Sequence, residues 1–403
     1  MRFSALRNKN FVIFTAGDLS ATNAIWINRV IIGWLGWELT GLASWVGLLS
    51  FLLYAPIVLS PIFGIILDSI DPRRAIIVIQ SILITIIATL LIFCVAGMLT
   101  IGLLSLVALA IGITSTADRT VRFILVPRLV ERSALANAIA IHGVNFNTAR
   151  LIGPAIGGVL IDLYGTDVAI IVNLAMIFPF LAVLFIVKLR DRYAPSPKRK
   201  GFLAEIVDGA RHIAGHPVIR EAMILSAVFS ITVSGVLEIL PAISDGNFQR
   251  GAQGLGQMLA AAGAGAVIAA IFVALRRSAP SGSRVSLAVY FAIFGGCASV
   301  IALGATASWL VALAMVFTLG ACLTINQIDL QASIQVALSD DYRARVMSLW
   351  VVLVIGGVAI SSFAVGLLAD IVGMFAALVA SGIACAMAAG ATMIGNARRG
   401  GPV

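Results

Sequence analysis

Long apolar runs, each broken by a few polar positions, follow one another along the whole 403-residue chain with short loops between them. Each run is near the roughly 20 residues that a helix needs to cross the hydrocarbon, and too long and uniformly apolar for barrel strands. Spans are predicted at about 11–39, 44–67, 75–97, 100–123, 136–161, 167–188, 218–242, 253–275, 285–304, 308–331, 346–369 and 374–395. The pattern predicts an all-α membrane protein with twelve transmembrane helices in two six-helix bundles, residues 1–189 and 218–403. A cytoplasmic linker, 190–217, joins them. It holds Pro195-Ser196-Pro197-Lys198-Arg199-Lys200 and an amphipathic stretch from Phe202 to Ile213, which suits a helix on the inner membrane surface or a plain solvated connection.

Composition agrees with this pattern: 61% of residues are hydrophobic and 11% charged, with a mean hydropathy of +1.08. Soluble domains carry about 25% charged residues. The net charge of +9 would suggest nucleic acid in a soluble protein, but its distribution points elsewhere. Of the 27 Lys and Arg, Arg250 falls in an odd-numbered, outer loop, and Arg29, Arg119 and Arg150 fall within spans. The rest lie on the other side or at its edge. The positive-inside rule then places both termini in the cytoplasm of a cell whose inner membrane holds the protein. Behind Arg2, Arg7 and Lys9 the first apolar run is long and interrupted by Asp18 and Arg29, so it reads as an uncleaved span.

One stretch has no place in a purely structural span. Phe146-Asn147-Thr148-Ala149-Arg150-Leu151-Ile152-Gly153-Pro154-Ala155-Ile156-Gly157-Gly158 puts a charge, a bend and a smooth face into span five. An arginine at mid-bilayer costs on the order of 2.5–3.5 kcal/mol on insertion scales and normally faces a partner or water. Arg150 lies roughly 21 Å into its helix, too deep to reach out easily. It is expected to bind an anionic substrate group or counter an acidic residue, with Asn147 beside it; Gly153, Pro154, Gly157 and Gly158 serve as hinge and packing face.

Other intramembrane polar residues divide into candidates for binding, coupling and gating. Asp18 and Arg29, eleven residues apart, share a face of span one but are separated by about 16 Å along the axis. Asp18 is either a boundary carboxylate or a proton-binding one, and His142 either a boundary residue or a proton relay. Asp118 and Arg122, at i and i+4, form a local ion pair or part of a cytoplasmic gate. In the second half, Ser226, Ser230, Ser234 and Glu238 follow one helical stripe, and Thr318, Cys322, Asn326, Asp329 and Ser333 another. Both stripes read as cavity-facing, with small hydroxyls also serving helix packing; Glu238 and Asn326 are candidate cavity residues.

A short repeat supports two duplicated halves: Gly158-x-x-x-Asp162-x-x-Gly165 and Gly366-x-x-x-Asp370-x-x-Gly373 close spans five and eleven. Parallel duplicates with a substrate site near mid-membrane are a common plan of secondary transporters. No G-x-x-x-x-G-K-[ST] occurs, the three histidines are His142, His212 and His216, and Cys94, Cys297, Cys322 and Cys385 lack metal or redox spacing. Neither a cofactor nor a metal is expected, and nothing in the aqueous segments resembles the nucleophile–base pair of an enzyme.

These residues resemble a known family. The loop Gly64-Ile65-Ile66-Leu67-Asp68-Ser69-Ile70-Asp71-Pro72-Arg73-Arg74 resembles the G-x-x-x-D-R-x-G-R-R signature of the major facilitator superfamily, with Ser69 for the usual arginine and Asp71 for the usual glycine. That resemblance implies a cytoplasmic gate from Gly64, Asp68, Arg73 and Arg74, joined by Asp118 and Arg122. Trp26-Ile27-Asn28-Arg29-Val30, Ala136-Asn137-Ala138-Ile139-Ala140, Gly153-Pro154-Ala155-Ile156-Gly157-Gly158 and Arg343-Ala344-Arg345-Val346-Met347-Ser348-Leu349 look like the group of the enterobactin exporter and macrolide efflux proteins. The resemblance implies proton-coupled efflux of a siderophore-like or drug-like small molecule by alternating access. Arg29 and Arg150 would then serve substrate or acidic partners, and Asp18 and His142 proton coupling. Where the group often has glutamine and asparagine, this chain has Asp18 and His142; where other drug antiporters carry an arginine in span four, it has Ala108. Protons, membrane lipid and a small molecule are the expected partners of a monomer, with no nucleic acid. An importer of a small anionic nutrient and a non-transporting scaffold are the alternatives.

Overall fold

The computed structural model describes residues 4–68, 70–189, 202–276 and 285–398. Among them helix is the regular structure, and no strand occurs. Lipid offers no hydrogen bonds, so a spanning segment satisfies its backbone within itself. In chain order the helices are α1 (Lys9–Thr40), α2 (Ala43–Tyr54), α3 (Ser60–Asp68), α4 (Pro72–Val95), α5 (Ile101–Leu125), α6 (Leu135–Ala175), α7 (Phe178–Ile186), α8 (Phe202–Gly215), α9 (Pro217–Thr232), α10 (Gly251–Leu275), α11 (Leu287–Ala305), α12 (Trp309–Ala337), α13 (Asp340–Val372) and α14 (Met374–Arg398).

Ten helical stretches among the described residues are long and apolar enough to cross a membrane. The number is below twelve for two physical reasons. The stretch Asn137–Ile186 is 50 residues long, enough for two crossings, and its helix is interrupted at Gly165. The 32-residue α1 is long enough to span, but Asp18, Asn23, Asn28 and Arg29 dilute its apolar character.

Breaks in the other spans follow proline and glycine. The predicted span 44–67 is α2, a 3-10 turn at Ala55–Leu59 containing Pro56, and α3 with Pro61. The predicted span 218–242 is α9, a 3-10 stretch Ser234–Ile239, and a wide turn Ala242–Asn247 after Pro241. Proline withdraws a backbone donor and disturbs the preceding turn. In α6, however, the backbone stays helical through Pro154 and leaves helical geometry at Gly165, with φ 82° and ψ 170°. Its counterpart in the repeat, Gly373, ends α13 with φ 89°. The two glycine–aspartate motifs thus end their helices in the same way, by a positive φ that glycine adopts without a Cβ clash.

Contacts group the chain into two units, Met1–Leu39 with Ala55–Lys198, and Thr40–Tyr54 with Arg199–Val403. The first is built on buried Phe14, Ile76, Val121 and Phe180. Segment 40–54, which the sequence boundary assigns to the first half, belongs to the second unit because α2 lies against α13. Gly47 meets the Ser362 backbone and Gly366 the Ala43 backbone, so closely that a Cβ would overlap either carbonyl. Small residues replace the hydrophobic effect as the basis of helix association in lipid by allowing close van der Waals contact. Gly265 against Phe317 and Gly320 against Ala262 pair α10 with α12 in the same manner.

Within the linker, 190–201 lies outside the described residues, and α8 covers the amphipathic stretch. One face of α8 is taken by α13: Gly209 sits on Leu349, Asp208 accepts from Arg345 at 2.7 Å, and His212 stacks on Tyr342 at 4.0 Å.

Gly320→Ala should lower the thermal midpoint of the detergent-purified protein by several degrees, as overpacking costs about 1–3 kcal/mol. Gly102→Ala, where a methyl group meets nothing within 4 Å, should leave the midpoint in place.

Candidate functional site

Four helices of the first unit meet at a buried cluster of charge. Arg122 on α5 donates from Nη1 to Asp18 of α1 and from Nε to Asp118 Oδ2 at 2.7 Å. Asn145 Nδ2 of α6 donates to Asp18 Oδ2 at 2.6 Å, and Gln80 Nε2 of α4 to Asp118 Oδ1 at 2.6 Å. His142 Nδ1 lies 3.3 Å from Asp18 Oδ2. The side chains of Asp18, Asp118 and Arg122 are 1%, 2% and 6% exposed, and that of His142 is 19% exposed. Phe180 covers the guanidinium, its ring centroid 4.3 Å from Cζ.

The spacing of Asp118 and Arg122 makes the first pair locally, and tertiary packing adds the rest. Two carboxylates and one guanidinium leave one negative charge beside the His142 ring. In a low-dielectric site a neutral set is strongly favoured over a charged one. The sequence reading divides these residues between proton coupling (Asp18, His142) and a cytoplasmic gate (Asp118, Arg122); the structure brings all four into one network. Asp18 belongs to this interior, 1% exposed.

A second cluster in the same unit is formed by arginines and aromatic rings. Arg29 Cζ stands 4.2 Å from the Trp26 ring centroid, and Arg150 Cζ 5.9 Å from the same ring. Trp26 meets Phe146 edge to face at 5.8 Å, and Arg119 Cζ lies 5.2 Å from Phe146. All three arginines are half-buried. Glycines on α6 set this geometry: Gly153 presses on Trp26 Cβ and the Asn23 carbonyl, and Gly157 on Ile27 and Val30. α1 can therefore lie close enough to place Trp26 beside Phe146. Around the cluster, Trp26 Nε1, Asn23 Oδ1 and Asn28 Oδ1 are buried without a hydrogen-bond partner. Such atoms are rare in folded proteins and call for an explanation such as a ligand. The side chain of Asn147 lies outside the described residues.

In the second unit, Glu238 Oε1 accepts from Tyr54 Oη at 2.5 Å. Asn326 is 2% exposed, and neither of its side-chain polar atoms has a hydrogen-bond partner. Asp329 accepts from Arg276 at 2.8 and 2.9 Å. The serine stripe of α9 does not face a cavity: Ser226 and Ser230 are 4% and 3% exposed, and Ser226 Oγ accepts from Trp350 Nε1 at 3.1 Å. Helix packing claims these small hydroxyls.

At the loop before α4, Arg73 donates to the Phe185 carbonyl, and Asp71 Oδ1 accepts the Arg74 backbone N–H at 2.9 Å. Asp71, standing where the superfamily pattern has glycine, is the N-cap of α4, with Pro72 at its first position. Gly64 has open space around it, and the side chain of Asp68 lies outside the described residues. Sequence reasoning missed Gln80, Asn145 and Tyr54. Gln80 is the amide in a 24-residue apolar helix, and Asn145 lies three positions beyond His142, so both carried a detectable signal. Tyr54 carried none, because its partner is far away in sequence. Among the described residues no group of three His, Cys, Asp or Glu is placed to hold a metal ion.

Residues 1–399 match the transmembrane secretion effector family. A staphyloferrin A transporter of Staphylococcus aureus is 26% identical over 254 residues, which cover 61% of this chain and 62% of that protein. Among solved structures, a bacterial homologue of the human lysosomal transporter Spinster aligns over 96% of both chains with a TM-score of 0.72 at 13% identity. The nucleoside transporter NupG aligns over 96% of this chain and 98% of its own with a TM-score of 0.71 at 12% identity. These structural likenesses establish the fold. The chain is a multi-pass membrane protein, and it belongs to the transmembrane secretion effector family of the major facilitator superfamily.

Proposed function

We propose that this transporter exports a small molecule with an anionic group across the cytoplasmic membrane in exchange for protons, by alternating access. The observation that carries the substrate reading is the convergence of Arg29, Arg119 and Arg150 on the Trp26–Phe146 pair, beside the orphaned Trp26 Nε1. Positive charge set beside aromatic rings suits a molecule that joins a carboxylate or phosphate to an apolar part. Asn147 is proposed to join this set, and Glu238 and Asn326 are proposed substrate residues of the second unit. Similarity to a staphyloferrin A transporter supports a siderophore-like substrate, and membership of a secretion effector family supports the outward direction. The basic residues support cytoplasmic termini, and one chain with two units suffices as a monomer.

Proton coupling is proposed to use the Asp18–His142 pair. His142 is the most exposed member of the charged cluster and lies 3.3 Å from Asp18 Oδ2, beside a set with one more acid than base. Asp68, Arg73 and Arg74 remain the proposed gate, with Gly64 leaving room for movement. Import of a small anionic nutrient is the second reading, since the same arginines would serve it; the direction of transport separates the two.

Small molecules inside and outside cells are to be compared with the protein present, absent or carrying Arg150→Ala, with and without a protonophore. A compound held inside when the protein is missing, when it carries Arg150→Ala, or when the proton gradient is collapsed is the expected outcome. The compound accumulating inside only when the protein is present would mean import, and full export by Arg150→Ala at normal membrane levels would remove the arginine from the site. Asp18→Asn should destabilise the purified protein by about 1.5–3 kcal/mol, because Arg122 keeps Asp118 but loses a buried hydrogen bond to a charged group. Arg122→Gln should cost more, about 3–5 kcal/mol, because it leaves the buried Asp18 and Asp118 carboxylates without their cation; thermal unfolding of the two variants checks the order.

A further inference from the structure

The repeated glycine–aspartate motif sets a spacing of 208 residues between the halves, from Gly158 to Gly366 and from Gly165 to Gly373. The same spacing relates helix starts: α5 begins at Ile101 behind Thr100, and α12 at Trp309 behind Ser308. It also relates a contact. In the first unit His142 Nδ1 of α6 lies 3.3 Å from Asp18 Oδ2 of α1. In the second, 208 residues on, Trp350 Nε1 of α13 donates to Ser226 Oγ of α9 at 3.1 Å. A ring nitrogen thus meets a side-chain oxygen at matching positions of both units.

By that spacing Asp118 corresponds to Asn326, Arg122 to Leu330 and Gln80 to Ala288. Ser226, Asn326, Leu330 and Trp350 are all buried, as Asp18, Asp118 and Arg122 are. The exchange accounts for the unpartnered amide of Asn326. Asp118 accepts from Arg122 and Gln80; where Leu330 and Ala288 replace these donors, Asn326 has neither.

We infer that Ser226, Asn326, Leu330 and Trp350 form the uncharged counterpart of the Asp18, Asp118, Arg122 and His142 cluster, so that of two matching places in the fold only the first holds groups that bind a proton. A buried set of charges is tolerable when complete, and a neutral set of similar volume is too; a set that has lost one partner is not. Replacement of every member is therefore the form in which such a cluster can lose its charge. The side chains of Ser226, Asn326, Leu330 and Trp350 do not titrate near neutral pH. The charges around them are paired elsewhere: Asp329 of α12 with Arg276 at the end of α10, at 2.8 and 2.9 Å, and Arg345 of α13 with Asp208 at 2.7 Å. Glu221, five positions before Ser226 on α9, accepts from Tyr290 of α11 at 2.7 Å, and Arg220 beside it donates to the Ala214 carbonyl at 3.2 Å. Proton uptake at Asp18 and His142 would thus alter the packing of one unit and leave the matching helices of the other unaltered. That consequence rests on the proton-coupled reading above; the correspondence of the two sets does not.

Thermal unfolding of the full-length purified protein tests the correspondence. Leu330→Arg and Ser226→Asp each bury a lone charge, and each should lower the midpoint by about 10 °C. Combined, they rebuild across α12 and α9 the pair that Arg122 and Asp18 make across α5 and α1, and should restore at least half of the larger loss. A double variant no more stable than its worse single overturns the proposal. If the double variant cannot be purified folded, the reverse exchange decides. Arg122→Leu strands two carboxylates and should lose about 10 °C, whereas Asp18→Ser, Asp118→Asn and Arg122→Leu together copy the second unit and should regain at least half of it; a triple variant no better than Arg122→Leu overturns the proposal. Failure of the wider reading looks different: the rescue stands while export in cells ignores the protonophore.

Discussion

The interaction on which the first unit depends is the buried contact of Arg122 with Asp18 and Asp118. A lone guanidinium in this interior would carry a desolvation cost of several kcal/mol, and so would either carboxylate. Each is tolerable because the others are there, and the amides of Gln80 and Asn145 take up further lone pairs. Four helices are thereby held in one register by polar geometry, a role that hydrophobic contacts fill poorly in lipid. His142 joins this set through Asp18, so the structural element and the proposed proton pathway are the same object.

Close backbone approach is the second recurrent device. Gly153 and Gly157 bring α6 onto α1 and so create the Trp26–Phe146 contact that orients three arginines. Gly47 and Gly366 bring α2 onto α13 and so place Ala43 and Ser44 within reach of Asp370. In both places glycine acts through what it permits: a smooth surface lets polar groups on the neighbouring helix meet at hydrogen-bonding or stacking distance. The broken spans have a related use. Pro56 and Pro241 interrupt helices close to Tyr54 and Glu238, and the short bond between these two residues forms where regular backbone ends.

Much of the architecture was legible in the sequence. Hydropathy and helix length restrict a chain of this composition to a multispanning helical bundle, since lipid cannot solvate an open backbone. Spacing alone identified the Asp118–Arg122 pair, and the repeated Gly-x-x-x-Asp-x-x-Gly motif marked two helix ends that share a positive φ at Gly165 and Gly373. Arg29 and Arg150 were recognisable because a charge in an apolar run demands a reason. These features are local, or follow from the solvent, and sequence records both.

Partnerships across helices belong to the tertiary structure alone. That Asp18 meets Arg122, that Arg119 joins Arg29 and Arg150 around two rings, and that Tyr54 reaches Glu238 all depend on helix rotation and approach. Periodicity leaves both undetermined to within a turn. The serines of α9 show the same limit: their spacing marks a face, but packing made it an interior one. The sequence by itself determined the class of solvent, the helices and the residues too costly to be idle; the packed structure decided which of them meet, because a contact between distant residues is a property of the fold and of no single segment.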